Sequence, residues 1–425
     1  MDVAQVARTT SFVAPLSIRF RGWFYEAPPA ACVRIFWVRG LTLSGTIWFI
    51  STMDTDPWGG SEELWTRTAT LLARQGIPVA ASVHGWPVLD RRITALSRAG
   101  IDLHPRPIKP SIAQRVWRSV RGQPPMVFDI ERAVGKTSVA LVVMSTGYFV
   151  PPIELVEMCL ARNWPFVTLA RCNSTSWWIP DALAARFRKA LPLARRCFFA
   201  SEANRALAER QLGCALVGAG ILNTPITIAT DSPIPWPSFS PDQELRMACV
   251  GRLSLQSKGQ DVLLDALTGQ GWRERNWRLT FYGNGPNREV LASMIERLEL
   301  QHKVFFGGHV AVEDIWSKNH VLVMPSRYEG TPMAVVEAMF CGRPVVATDV
   351  GGNAEVIEDD VTGFIAAAPA PACFSQALER MWMSRHRLHE MGQRAAASIR
   401  EFWQKDPVGT FAEDLKSLAG LKKSP

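Results

Sequence analysis

The sequence predicts an α/β protein with two doubly wound domains, each built on a parallel sheet. Two series of short apolar runs alternate with amphipathic helical stretches, and a Pro-rich segment separates the two series. Strand–helix alternation is typical of parallel sheets covered by helices on both faces. The 425 residues, 47% of them apolar and 20% charged, exceed what one ordinary core accommodates. We therefore expect two globular domains rather than a disordered chain.

The first series of apolar runs predicts an N-terminal domain over residues 45–232. Buried parallel strands appear in a sequence as continuous apolar runs of this length. An amphipathic helix is predicted from Ser61 to Arg74, with Gly76 just beyond its end. The predicted strands cover 46–51, 79–84, 138–145 and 165–170.

The second series predicts a C-terminal domain over residues 244–400, followed by a helix or tail over 401–425. Four prolines lie within residues 231–242, so we expect a stiff linker over about 233–243. Parallel sheets bind ligands at the carboxyl ends of their strands, which favours a cleft between the two domains. The predicted strands cover 247–251, 278–283, 303–307, 321–325 and 344–348.

Residues 1–44 are basic, aromatic and Pro-containing, without clear periodicity. Three interpretations stay open: a peripheral membrane-surface anchor, an extra structural element, or upstream sequence from a misplaced start codon. No continuous apolar segment of the kind found in signal peptides lies in the first 20 residues, and no apolar run reaches the length of a membrane helix. We expect a cytoplasmic protein, with peripheral membrane association left open.

The composition excludes several classes of site. The eight cysteines form no C-x-x-C pair, so neither a zinc ribbon nor a redox motif is predicted, and reduced buried thiols are expected. The net charge of +8 is spread along the chain. A basic surface attracts phosphate groups, but no nucleic-acid motif accompanies it, so no nucleic-acid partner is predicted.

The densest chemical signal follows the predicted strand at 321–325. Gly330 permits a close backbone approach, Thr331 is a plausible N-cap, and Pro332 suits the first helical position. The amides of Met333 and Ala334 would then be free at a helix N-terminus that faces the cleft. Such a terminus binds anions, and a diphosphate is the expected ligand.

Two carboxylates flank this helix start. Glu337 lies inside the helix, where it can accept hydrogen bonds from ribose hydroxyls, and Glu329 lies at the strand end, where it can meet a sugar. The alternative is a surface carboxylate followed by an ordinary helix acid. The complete strand–Glu–Gly–cap–helix–Glu unit favours the ligand-binding interpretation.

Glu329 and Glu337 resemble the Glu-x7-Glu motif of glycosyltransferase family 4. G-R-L at 251–253 and K-G-Q-D at 258–261 resemble the family's G-R-L and K-G segments. The resemblance implies a GT-B fold, retention of anomeric configuration, and a donor diphosphate held by Arg252 and Lys258 beside Gly251. Two cations there can also stabilise the leaving group, although surface cations are the commoner fate of Arg and Lys.

Further segments extend the resemblance. G-N-G-P at 283–286 resembles the family's G-x-G-P turn, which includes Gly283, and F-G-G-H-V at 306–310 resembles the loop that contacts the nucleotide base, here His309 and Val310. W-G-G-S-E at 58–62 resembles the G-G-x-E turn, whose Gly59 and Gly60 approach the donor phosphate and sugar. Residues 348–357, 362–364 and 201–204 also resemble family segments.

The N-terminal half departs from the family at one point. Many relatives carry a His after the fourth or fifth strand, and residues 169–178 contain none. Arg171, Asn173 or Ser174 are the candidate replacements, and weak or altered activity is the alternative. Trp177 and Trp178 are predicted beside the cleft, where they would stack on a sugar acceptor, contact lipid, or pack into the core.

The combined prediction is a hexosyl-type retaining glycosyltransferase. It would move a sugar from a nucleotide-diphosphate sugar to a saccharide or lipid-linked acceptor, in polysaccharide or glycoconjugate synthesis. No D-x-D follows a strand, and cations with a helix terminus can neutralise a diphosphate, so neither metal nor cofactor is predicted. The alternatives are a catalytically inactive GT-B protein that binds nucleotide sugars, and a GT-B sugar-nucleotide epimerase.

Overall fold

The computed structural model describes residues 45–54, 56–107, 125–226, 228, 234–238, 240, 242–403 and 405–421. The hypotheses on residues 1–44 lie outside this described part, as do several positions of the predicted linker. All described residues belong to one compact unit, Leu41–Pro425. Among them, no helix is both long and apolar enough to cross a membrane.

The N-terminal domain contains a seven-stranded parallel sheet in the order β3-β2-β1-β4-β5-β6-β7. The four predicted strands are present. No bounds were predicted for β3, β6 and β7, because these strands are short or polar. The strands are β1 Thr46–Ser51, β2 Val79–His84, β3 Asp102–Arg106, β4 Val139–Thr146, β5 Phe166–Ala170, β6 Arg196–Phe199 and β7 Gly220–Ile221. The helices are α1 Gly60–Arg74, α2 Arg91–Arg98, α3 Pro125–Val134, α4 Ile153–Ala161, α5 Asp181–Ala190 and α6 Glu202–Leu212.

The C-terminal domain contains a six-stranded parallel sheet in the order β10-β9-β8-β11-β12-β13. The five predicted strands are present, and β13 is additional. The strands are β8 Leu245–Val250, β9 Trp277–Tyr282, β10 Val304–Gly308, β11 Val321–Met324, β12 Val345–Thr348 and β13 Gly363–Ala366. The helices are α7 Leu255–Lys258, α8 Gln260–Ala266, α9 Gln270–Glu274, α10 Arg288–Arg297, α11 Val312–Trp316, α12 Met333–Phe340, α13 Asn353–Val356, α14 Pro371–Met383 and α15 Leu388–Phe402.

The last helix, α16 (Pro407–Leu418), returns to the N-terminal domain and packs on α1. Phe411, Ala412 and Leu415 are almost completely buried in the apolar cluster that also contains Leu64. Because these side chains complete that core, α16 is a structural part of the N-terminal domain. The sequence analysis treated this segment only as a terminal helix or tail.

The strand order positions the functional cleft. Each sheet reverses its winding direction beside its first strand, between β1 and β4 in one domain and between β8 and β11 in the other. Loops that leave the carboxyl ends of such neighbouring strands diverge and leave a crevice. The two crevices face one cavity, so residues far apart in the sequence meet there.

Candidate active site

A cavity of about 1310 Å³ lies between the two domains. The N-terminal domain contributes loops that follow β1, β4 and β5, and the C-terminal domain contributes loops that follow β8, β9, β10 and β11. The predicted donor-site residues that line it are Gly59, Gly60, Gly251, Arg252, Lys258, Gly283, His309, Val310, Glu329, Gly330, Thr331, Met333, Ala334 and Glu337. Pro332 is buried and does not line the cavity.

Lys258 and Glu329 form an ion pair on the wall of the cavity. The Lys258 Nζ lies 2.5 Å from Glu329 Oε1, which also accepts a hydrogen bond of 2.7 Å from the hydroxyl of Ser326. Burial lowers the pKa of Lys258, but the Glu329 carboxylate outweighs that effect, so the pKa lies above its ordinary value. Lys258 therefore carries its positive charge at neutral pH.

The turn after Lys258 explains how the pair is positioned. Gly259 ends α7 with a φ of +61°, in the left-handed region that favours glycine. A Cβ at this position would lie 2.2 Å from the carbonyl oxygen of Pro325, the residue directly after β11. Only glycine permits this approach, which brings Lys258 beside the loop that carries Glu329.

Arg252 pairs with a carboxylate of the opposite domain. Its Nη1 donates to Oδ2 of Asp56, in the loop after β1, and both side chains remain partly exposed in the cavity. The sequence analysis did not identify Asp56, because nothing in the order of residues indicates that it faces a residue 196 positions away. An anionic ligand that binds Arg252 would compete with Asp56.

Helix α12 begins one residue later than predicted, so Pro332 is not its first helical residue. Pro332 occupies the N-cap position, and α12 runs from Met333 to Phe340. The prediction of Thr331 as the N-cap was wrong, because its hydroxyl donates instead to the carbonyl of Ala200 in the N-terminal domain, at 2.8 Å. Since Met333 and Ala334 are the first helical residues and line the cavity, their amides have no partner within the helix, and their binding of an anion stays a prediction.

Glu337 faces the same cavity from the second turn of α12. Burial, together with the neighbouring Glu313 carboxylate, raises its pKa to about 7. Desolvation disfavours the charged form of a carboxyl group, and a nearby negative charge has the same effect. A ligand that donates hydrogen bonds to this carboxylate would stabilise its ionised form.

The loop at 329–331 is pressed against the N-terminal domain. A Cβ at Gly330 would lie 1.8 Å from the carbonyl oxygen of Arg171, so a side chain cannot be accommodated there. The amide nitrogen of the Asn204 side chain donates to the carbonyl of Glu329 at 3.2 Å. These contacts align the Glu329 loop with both domains.

A second contact joins the domains beside this loop. The Glu355 carboxylate accepts hydrogen bonds from the amides of Glu202 and Ala203, at 3.2 and 2.7 Å. These amides are the first two of α6, where negative charge is favourable. Glu355 thereby caps a helix of the opposite domain.

The candidates to replace the family's His occupy structural roles. The Arg171 guanidinium is buried and donates to the carbonyl of Leu222, at 2.8 Å, and to the hydroxyl of Thr224. The Asn173 side chain is also buried and donates to Gln211 at 2.8 Å. Asn173 and Ser174 are absent from the cavity lining. Arg171 does line the cavity, but its guanidinium is already paired with Leu222 and Thr224.

Cys172 is the residue of this segment that the sequence analysis did not single out and that lines the cavity. Burial raises the pKa of its thiol to about 12, with a further contribution from the Glu329 carboxylate. The thiol is therefore neutral at physiological pH. It presents a small, weakly polar surface to the cavity.

Trp177 and Trp178 differ in environment. Trp177 is half-buried and packs between the rings of Tyr148 and Tyr328, whereas Trp178 is 59% exposed. Neither indole lines the cavity itself, but Tyr328 does. Trp177 therefore contacts the cavity wall through Tyr328, and Trp178 follows it in the chain.

Glu62, the last residue of the W-G-G-S-E segment, lies behind the Gly59–Gly60 turn, and the sequence analysis assigned it no role. Its carboxylate is 3% exposed and accepts hydrogen bonds from the indole of Trp65, at 2.7 Å, and the hydroxyl of Ser51, at 3.0 Å. Burial raises its pKa to about 7 despite these donors. Glu62 connects the start of α1 to the end of β1 and so orients the glycine turn.

Metal ligands do not cluster in the described part of the chain: no group of three His, Cys, Asp or Glu side chains there could hold an ion. A metal-independent site stays a prediction. The local cations and the α12 terminus are the groups available to bind a diphosphate.

Comparison with known proteins agrees with this geometry. Residues 244–384 match the family described as glycosyl transferases group 1. The chain is 30% identical to alpha-D-kanosaminyltransferase of Streptomyces kanamyceticus over 150 residues, which cover 35% of this chain and 39% of that enzyme. It is 29% identical to lipopolysaccharide 1,6-galactosyltransferase of Escherichia coli K12 over 181 residues, which cover 41% of this chain and 48% of that enzyme.

These matches span less than half the length of the curated relatives. A solved structure covers more: Anabaena Alr3699/HepE in complex with UDP aligns with a TM-score of 0.65 and 18% identity over 88% of this chain and all of that one. At this identity the likeness shows the fold. The chain thus has the GT-B fold of two facing Rossmann-like domains, and its C-terminal domain is similar to the group 1 glycosyl transferases.

Proposed function

We propose that this protein is a retaining glycosyltransferase that moves a hexose-type sugar from a nucleotide-diphosphate sugar to a saccharide or lipid-linked acceptor. Polysaccharide or glycoconjugate synthesis is the proposed context. The main support for this proposal is that Arg252, the Lys258–Glu329 pair and the first residues of α12 line one cavity. That set offers cations and free amides to a diphosphate, with a carboxylate beside it. The printed names of the relatives, which describe sugar transferases, support the proposal.

Donor binding follows from the chemistry of these groups. The diphosphate would contact Lys258, the free amides of α12 and Arg252, which exchanges Asp56 for the ligand. Glu337 would accept hydrogen bonds from the ribose hydroxyls, which favour its ionised form. UDP is the first nucleotide to test, because the HepE structure contains UDP.

The proposed reaction breaks the bond between the anomeric carbon and the diphosphate oxygen. The electron pair leaves with the nucleoside diphosphate, whose developing charge the two cations and the helix terminus stabilise. The acceptor hydroxyl bonds to the anomeric carbon from the same face and transfers its proton to the departing phosphate oxygen. Glu329 would orient the sugar hydroxyls and stabilise positive charge. Its Oε1 is already engaged by Lys258 and Ser326, which argues against a role as covalent nucleophile.

The first test measures thermal stability with UDP, GDP, ADP and their sugars. A ligand that binds the native state raises the melting temperature once its concentration exceeds its dissociation constant. We expect one nucleotide series to stabilise the protein and Glu337→Ala to abolish that shift. Glu390→Ala, on the exposed face of α15, is the matched control and should keep it. No stabilisation by any nucleotide at millimolar concentration would refute the proposal.

A second measurement separates the alternatives. Proton NMR of the product identifies its anomeric configuration, and a product of inverted configuration would refute the retaining mechanism. An epimerase would alter the donor sugar without an acceptor. An inactive binding protein would be stabilised by the nucleotide sugar yet release no nucleoside diphosphate with any acceptor.

A further inference from the structure

Three aromatic side chains from both domains are in ring contact beside the cavity, and an exposed fourth follows one of them in the chain. We call this group the aromatic platform; its members are Tyr148, Trp177, Trp178 and Tyr328. The ring of Trp177 lies 4.8 Å from that of Tyr148 and 4.7 Å from that of Tyr328, centre to centre. Trp178 follows Trp177 directly in the chain.

The platform is continuous with the proposed donor site. Tyr328 lines the cavity and precedes Glu329, and Gly147, which also lines the cavity, precedes Tyr148. Tyr148 follows β4, the Trp pair follows β5 and Tyr328 follows β11. These strands end at the carboxyl edges that form the cleft, so the platform lies beside the cavity that Tyr328 lines.

The backbone beneath the platform is firmly held. The Gln211 side-chain amide donates to the carbonyls of Ser174 and Trp177, at 2.8 and 3.2 Å. Asn173 in turn donates to the Gln211 side-chain oxygen and accepts from the amide of Ser174, at 2.8 and 2.7 Å. A buried and fully paired network of this kind limits the freedom of the loop that presents Trp177 and Trp178.

The exposed members of the platform are not explained by core packing. Tyr148 is 53% exposed and Trp178 is 59% exposed, although burial is the usual state of such large rings. Trp177, between Tyr148 and Tyr328, fixes the orientation of its neighbours. Both exposed rings combine an apolar face with a polar edge, O–H in Tyr148 and N–H in Trp178.

This chemistry fits a sugar ring better than an acyl chain. A pyranose presents one face of C–H bonds, which stacks on an aromatic ring, and a rim of hydroxyls, which pairs with the polar edges. A lipid chain would be better matched by aliphatic side chains. Among the described residues, the large exposed aliphatic side chains all lie outside the platform: Val88, Leu193, Val217, Ile221, Val290, Val310 and Met383.

We propose that the aromatic platform is the acceptor subsite, and that it binds the pyranose ring of a saccharide acceptor by stacking on Tyr148 and Trp178. The inference rests on the proposed transferase function and deepens it by assigning the acceptor's chemical class. Tyr328 would place that ring next to the donor sugar held by Glu329. In this proposal Asn173 supports the platform indirectly, through its hydrogen bonds with Gln211 and Ser174.

Saturation-transfer NMR with methyl glycosides of glucose, galactose, mannose and N-acetylglucosamine, in the presence of UDP, tests the subsite directly. We expect at least one glycoside to bind the wild-type chain. Tyr148→Ala and Trp178→Ala should each weaken its binding about tenfold, because each removes a stacking face. Tyr148→Phe keeps the face and should retain most of the affinity. Phe402→Ala is the matched control, since Phe402 is 53% exposed at the end of α15, away from the platform.

Stabilisation by UDP is measured in the same variants. If UDP stabilises every variant and glycoside binding falls only in the platform variants, the subsite is supported. If UDP stabilises the wild type but no glycoside binds, or if Phe402→Ala weakens binding as much as Tyr148→Ala, the platform proposal is wrong while the proposed function stands. If UDP and the other nucleotides fail to stabilise the wild type, the proposed function fails first.

Discussion

Replacement of Lys258 by Met removes the cation from the cavity while keeping most of the side-chain volume. Lys258 Nζ contacts the Glu329 carboxylate at 2.5 Å, and Glu329 is 7% exposed. In the proposed mechanism the ammonium also stabilises the departing diphosphate. Loss of one such preorganised donor costs roughly 10²–10³-fold in turnover. We expect Lys258→Met to lower kcat by that factor.

The same substitution should also lower stability. Glu329 would be left buried with Ser326 as its remaining side-chain donor. Loss of one partner of a buried polar pair costs about 1–3 kcal/mol in the free energy of unfolding. The double variant Lys258→Met/Glu329→Gln removes the uncompensated charge, so it should regain stability without regaining activity.

The assay measures release of nucleoside diphosphate and, separately, the free energy of unfolding in urea. Lys416→Met is the control, because Lys416 is ion-paired with Glu413 in α16, away from the cavity, and its loss should leave kcat unchanged. Turnover of Lys258→Met within about threefold of wild type would refute the catalytic role, since a lost oxyanion donor costs far more. A double variant that recovers full activity would show that Lys258 acts only by neutralising Glu329.

Four further predictions concern other residues of the cleft. Because the pKa of Glu337 is raised to about 7, nucleotide affinity should rise as pH increases through 7, and calorimetric titration should find this dependence abolished in Glu337→Gln. The same shift means that, between pH 4.5 and 7, Glu337 keeps its proton in the folded chain but loses it in the unfolded chain. The free energy of unfolding should therefore fall over this pH range more in wild type than in Glu337→Gln, as followed by urea denaturation. Asp56→Asn frees Arg252 from its partner and should tighten nucleotide binding about two- to fivefold, the range expected for a partly exposed ion pair; equal or weaker binding in calorimetry would contradict competition. Gly330→Ala forces a Cβ to within 1.8 Å of a carbonyl and should destabilise the protein by about 1–3 kcal/mol in urea denaturation, whereas Gly60→Ala, whose Cβ meets nothing within 4 Å, should not.

Local patterns in the sequence were sufficient to predict the α/β class and most of the long strands. The apolar runs of β1 and β11 are buried along nearly their whole length, as expected for strands covered on both faces. Predictions failed where a strand is short or polar. β3, with the sequence D-L-H-P-R, lies at the sheet edge, where a proline and charged residues are tolerated.

The donor-site residues were also predictable, because their spacing is set within single strand–turn–helix units. Glu329 and Glu337 occupy the end of one strand loop and the second turn of the following helix, so their relation is local. The prediction of the Thr331 cap failed for a tertiary reason. Its hydroxyl has a partner in the other domain, and that contact outweighs the local capping preference.

The sequence by itself determined the two parallel-sheet domains and the residues that each loop offers to the cleft, since both follow from periodicity and turn chemistry within about 20 residues. Tertiary structure alone decided that Asp56 faces Arg252. It also decided that Arg171 and Asn173 make internal hydrogen bonds. In the same way it placed Trp177 between Tyr148 and Tyr328. It also decided the raised pKa of Glu337, because desolvation depends on everything packed around the carboxyl group. These properties arise from contacts between residues remote in the chain, which no local pattern encodes.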